Sequence, residues 1–113
     1  MEDNNALKMF KDVYEDKEAI INGRTYRLTT TTHIKRRKVF AFSPRIGEAD
    51  LSFLDDPKFE EIEKIISNVV LFDGELLSKK PNHWDQYPED YMIFISTMVG
   101  ALCYPFLKGF SGV

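Results

Sequence analysis

From Tyr91 to Leu107 the chain carries no charged residue, and that run constrains the fold more than any other feature. Its apolar residues fall on every side of a helix, and a helix greasy all round must be covered all round. Pro88 suits a first helical turn, and Glu89 and Asp90 put negative charge at the positive end of the helix dipole. The helix is therefore expected from Pro88 to about Cys103 or Tyr104, ahead of Pro105. A membrane span needs about 20 apolar residues. This run is shorter, contains Ser96, Thr97, Gly100 and Pro105, and has no flanking Lys/Arg cluster to orient it. The acidic start, Met1-Glu2-Asp3, has neither the basic nor the apolar region of a secretory signal. A soluble, cytoplasmic protein with no membrane partner is the expectation. A chain of 113 residues makes one domain, 1–113. A domain that small can hardly cover such a helix alone, so the run predicts an intermolecular surface and a homo-oligomer.

The rest of the chain must supply what cover it can. Leu7, Phe10, Val13 and Tyr14 share one side at helical spacing, which predicts an amphipathic helix within residues 1–18. Residues 19–29 predict a β-hairpin. Asn22-Gly23 tolerates the positive φ angles of a type I′ turn, and Tyr26 and Leu28 alternate with Thr25 and Arg27. Residues 30–113 are expected to be helical. Thr29 to Thr32 offer caps for a helix through about Phe42, ended by Ser43-Pro44, with a loop from Arg45 to Leu54. Asp56 before Pro57 starts the next helix, whose Phe59, Ile62, Ile66 and Val69 form its apolar face as far as about Leu71. Asp73-Gly74 then turns the chain, and Glu75 to Asn82 reads as a surface connection. The predicted class is α+β, mainly α-helical: an N-terminal hairpin packed on three to four helices.

No residue pattern points to chemistry. His33 and His83 stand outside any metal-ligand spacing and read as surface or boundary histidines. Cys103, the lone cysteine, lies in the apolar run as a small hydrophobe. Asp55-Asp56 and Glu60-Glu61 are explained by capping and a wet helix face. No phosphate loop or nucleophile motif is present. The chain is read as a non-enzyme without cofactor or metal. Lys35-Arg36-Arg37-Lys38 could meet phosphates, but a net charge of -3 disfavours nucleic acid, and the quartet reads as a solvated face or an answer to acidic residues on a neighbouring subunit. Binding chemistry is better represented. Trp84 and Tyr87 are either interface anchors or staples for the apolar helix. On that helix Met92, Ile95, Met98, Val99 and Leu102 can line a partner-binding side, with Phe94 and Ala101 filling the domain core.

The order of these elements resembles that of the tail assembly chaperones of tailed bacteriophages. The points of resemblance are the hairpin Ile20 to Leu28, the Thr-rich and basic stretch through Arg36-Arg37, and a terminal pattern. In the last, Phe72-Asp73-Gly74 leads through Trp84 and Tyr91 to a helix ending Tyr104-Pro105-Phe106-Leu107. The resemblance implies a small, mostly helical, oligomerising protein of the bacterial host cytoplasm. Its partners would be the tape measure protein, kept soluble, and the tail tube protein, recruited during assembly. In many such chaperones a translational frameshift near the C-terminus makes a longer second form. No catalytic residues come with the resemblance. A small virion tail or baseplate protein, and a nucleic-acid-binding regulator acting through Arg36-Arg37, are the alternatives.

Overall fold

The computed structural model describes residues 2–46 and 50–110, so part of the expected Arg45–Leu54 loop lies outside the described residues. The chain is α+β and mainly helical. Helix α1 (Glu2–Asp16) leads into a hairpin of β1 (Glu18–Ile21) and β2 (Arg24–Leu28), then α2 (His33–Ile46). A 3-10 turn (Leu51–Asp55) precedes α3 (Pro57–Ser67). A second hairpin of β3 (Val70–Phe72) and β4 (Glu75–Leu76) and the one-turn α4 (His83–Gln86) lead to α5 (Tyr91–Phe110).

The first hairpin forms as its sequence predicts. Asn22 and Gly23 sit at φ 51° and 80°, the left-handed pair that a two-residue turn demands. The register sets Ala19 opposite Tyr26 and Ile21 opposite Arg24. Ala19, Ile21, Tyr26 and Leu28 face the core, whereas Ile20, Thr25 and Arg27 face water. No atom lies within 4 Å of a Cβ built on Gly23, so only backbone strain opposes a side chain there. Gly23→Val should cost about 1–3 kcal/mol, read as a lowered urea midpoint. A variant that melts like the parent would disprove the turn.

Asp73-Gly74 repeats this device at φ 53° and 81°. It makes a second hairpin where a plain turn and surface connection were expected. β2 pairs with β3 through Arg27 opposite Leu71 and Leu28 opposite Val70, giving one antiparallel sheet in the order β1-β2-β3-β4. The preceding helix therefore ends at Ser67, not near Leu71, and the 30–113 region is not wholly helical.

Capping follows the sequence. The Thr32 hydroxyl accepts from Lys35 N–H at 3.3 Å, and the Asp56 carboxylate accepts from Lys58 N–H at 2.9 Å. Two prolines, however, do not stop their helices. α2 runs through Pro44, whose missing N–H would orphan the carbonyl of Phe40. Ser43 Oγ donates to that carbonyl at 2.7 Å and restores the lost bond. α5 likewise runs through Pro105 to Phe110.

Most of the apolar helix is covered within one chain. α1, α2, α3 and β1 all pack on α5, and Phe94, Ile95, Met98, Ala101 and Leu102 are at most 1% exposed. Pro88–Gly109 is long and apolar enough to cross a membrane, yet 56% of its most apolar window is buried in the fold, as suits a core helix. α1, α2, α3 and β1 thus supply cover that the expectation of an intermolecular surface left out. Much of that cover comes from α1, which returns across the chain onto α5, a long-range contact that no local pattern encodes.

The close return depends on Gly100, whose Cα faces the Phe10 ring. Tyr14 packs on Tyr104 with ring centroids 5.7 Å apart. Basic and acidic surfaces also meet within the chain. Lys38 pairs with Glu61 at 3.2 Å and Arg45 with Asp56 at 2.9 Å, joining α2 to α3 and its cap without a neighbouring subunit.

Candidate functional site

The residues expected to bind a partner separate into three groups. Ile95, Met98, Val99 and Leu102 are 5% exposed or less and belong to the core, so their expected role as an open apolar side is corrected. Helical spacing placed them on one face correctly, but that face turns inward. Met92 is exposed at 38% and its neighbour Ile93 at 49%. Trp84 and Tyr87 are half-buried. The Trp84 ring meets Phe94 at 4.9 Å and Tyr91 at 5.2 Å, so it staples the start of α5. Tyr87 lies 5.8 Å from Phe72 and carries the Arg24 guanidinium over its ring at 4.0 Å.

Beneath these rings lies a buried polar cluster that the sequence reading missed. Asp90, fully buried, accepts from Asn22 Nδ2 at 2.7 Å, Arg24 at 3.0 and 3.1 Å, and Tyr26 Oη at 2.7 Å. All three donors belong to the first hairpin or its turn. The charge read as helix-dipole complement is therefore also the clamp that fixes the hairpin to the start of α5. Tyr26 has one proton and donates it to Asp90, so His83 Nε2, 2.8 Å from the same oxygen, carries the hydrogen and donates. His83 is 4% exposed, not a boundary residue.

The electrostatics follow from this arrangement. Burial alone would raise the Asp90 pKa, but the bonds from Asn22, Tyr26 and Arg24 outweigh it and hold the group below the usual carboxylate value. Burial lowers the His83 pKa, against the pull of Asp90. Tyr26 is pushed up by burial and by its bond to Asp90. Tyr91 is raised similarly by burial and by donating to Glu63 of α3. Burial pushes the Cys103 thiol up to about 11, which keeps it a neutral core residue. The Tyr26 and His83 protons are committed within the cluster, and its buried members are closed to water. Its chemistry is that of a clamp. Among the described residues no group of three or more His, Cys, Asp or Glu could hold a metal ion.

The open surface lies elsewhere. A groove of about 520 Å³ runs between the end of α1, the strand β1 and the first half of α5. Met9, Ile20 and Ile93 contribute exposed apolar side chains to it, from three different elements. Val13, Ala19 and Ile21 reach it from the core, and Lys8, Asp12, Asp16 and Glu18 rim it. Sequence periodicity could not gather these positions, because each lies on the wet side of its own element. Their meeting depends on α1 folding back beside β1. No family model matches the chain, and neither a curated protein nor a solved structure matches it.

Proposed function

We propose that this chain is a protein-binding module of the tail assembly chaperone kind. In this reading it takes up apolar segments of the tape measure protein in the host cytoplasm and supports assembly of the tail tube protein around it. One observation carries the reading: Met9, Ile20 and Ile93, at 45%, 68% and 49% exposure, share one groove although the core does not need them. Apolar side chains scattered singly need no explanation, but convergence from three elements marks a contact surface. The groove replaces the buried side of α5 as the place where a client would bind. Self-association is not required to cover α5, so the oligomeric state is a separate question.

Ile93→Lys tests the reading. The residue is half exposed, so the variant should melt within about 0.5 kcal/mol of the parent. A co-expressed tape measure segment should then fall from the soluble to the insoluble fraction. Undiminished client solubility would remove this groove from the function.

A further inference from the structure

The groove is more than an apolar depression, because one wall is an unpaired sheet edge. β1 ends the strand order, and β2 occupies only one of its sides. Lys17 O accepts from Leu28 N–H at 2.9 Å, so Lys17 points its polar backbone inward. In an antiparallel ladder the direction alternates, and Ala19 and Ile21 also point inward to Tyr26 and Arg24. The N–H and C=O groups of Glu18 and Ile20 therefore point outward. Ala19, Ile20 and Ile21 all line the groove although their side chains alternate between faces, so the groove follows the edge itself.

Natural edges are usually blunted by a lysine, a proline or extreme shortness. β4, at the other end of the sheet, has two residues and runs at once into a 3-10 turn. β1 has four residues, neither lysine nor proline among them, and the most exposed large apolar side chain of the described residues, Ile20. Lys17 could have guarded it. Instead its Nζ folds back to donate to the Tyr14 carbonyl at 2.8 Å, over the Tyr14 ring.

Charge selects the occupant. Three carboxylates, Asp12, Asp16 and Glu18, and one cation, Lys8, rim the groove; Lys8 pairs with Asp12 at 3.0 Å and Arg27 with Glu18 at 3.4 Å, so among the described residues Asp16 is the rim carboxylate left without an ion pair. Two copies paired edge to edge would bring these acidic rims together, which like charges oppose. We infer that the client of the protein-binding reading docks as an added β-strand along β1, and that it is an extended segment alternating apolar residues with lysine or arginine. Its backbone would bond to Glu18 and Ile20, its apolar side chains would meet Met9, Ile20 and Ile93, and its cations the acidic rim.

The test uses the full chain and a short fluorescein-labelled peptide of alternating lysine and valine, followed by anisotropy. The lysine peptide should bind about tenfold or more tighter than its glutamate–valine counterpart, and salt should weaken it. Ile20→Pro removes an outward N–H that the hairpin does not use, and should weaken binding about tenfold or more, whereas Ile20→Thr keeps the donor and should stay within about threefold. Should the proline variant fail to fold, Asp16→Lys decides, by narrowing or reversing the preference between the peptides. Equal binding of both peptides, or parent-like binding by a folded Ile20→Pro, overturns the inference. A parent that is dimeric by light scattering, made monomeric by Ile20→Pro and indifferent to peptide, overturns it in favour of a second copy. Client rescue separates the two proposals. If Ile93→Lys abolishes it and Ile20→Pro does not, strand addition falls and protein binding stands. If neither variant affects it, both fall.

Discussion

Replacing Asp90 with alanine is expected to lower stability by about 3 kcal/mol or more, because it strands the partners of a buried charge. Tyr26 Oη, Asn22 Nδ2 and the Arg24 guanidinium all lose their acceptor at once; Arg24 retains Glu89 at 3.1 Å, and Tyr26 can donate to His83 Nε2 at 2.8 Å only after the imidazole moves its hydrogen to the other nitrogen. The melting temperature should fall by about 12 °C or more. A melt within about 0.5 kcal/mol of the parent would mean that the clamp does not hold the hairpin. Acid provides a second readout. His83 and Asp90 both have native pKa values below their ordinary 6.5 and 3.8, so the native state binds fewer protons than the unfolded one. Stability therefore rises with pH across those ranges. In the parent, His83 stabilisation is complete above 6.5 and is lost as pH falls through its lowered native value; the Asp90 contribution is lost similarly below 3.8. The Asp90→Ala variant should show a shallower lower decline, what remains coming from Asp56, whose pKa the Lys58 N–H and Arg45 also lower. Its His83 should titrate still lower, because Asp90 raises it more than Asp73 does. Urea midpoints on either side of 6.5 and of 3.8 measure both effects.

Gly100→Leu should rank next. A Cβ at this position would stand 2.2 Å from two atoms of the Phe10 ring and 2.5 Å from a third. Leucine is a better helix former than glycine by about 1 kcal/mol, but overpacking costs about 1–3 kcal/mol and the collision here is severe. A net loss of about 2 kcal/mol is expected, from prising α1 off α5. Adding Phe10→Ala removes the ring, so the double variant should recover about 1 kcal/mol relative to the sum of the single losses. Additive losses in that cycle would show that Phe10 and Gly100 do not meet.

Local signals explain what the sequence reading reached. Asn22-Gly23 and Asp56-Pro57 act through the backbone of their own neighbours, and both do what their chemistry demands. Asp73-Gly74 carries the same turn signal, but its strands are too short to show alternation, and only pairing with β2 makes them a sheet. Pro44 looks like a helix end because its repair comes from a serine hydroxyl, a contact that propensity ignores. The candidate site was legible only in its parts. Ile20, Met9 and Ile93 are distant in the chain, and which side of α5 faces water depended on where α1 and α2 came to rest. Trp84 and Tyr87 read as aromatic anchors or staples from their type alone, but His83 and Asp90 on either side of them reveal their roles only through Tyr26, a residue of another element.

The packing of α1 on α5 also sets an order of events during synthesis. The first helix meets its partner only when residues 91–110 have left the ribosome. At ordinary translation rates that interval is about 5 to 20 seconds. The hairpin at Asn22-Gly23 closes within microseconds of emerging, but its clamp, Asp90, arrives near the end of the wait. Throughout it, Phe10, Val13 and Tyr14 have no α5 to rest on. A nascent chain therefore shows apolar surface until α5 is complete, and it depends on completing α5 before another unfolded chain finds that surface.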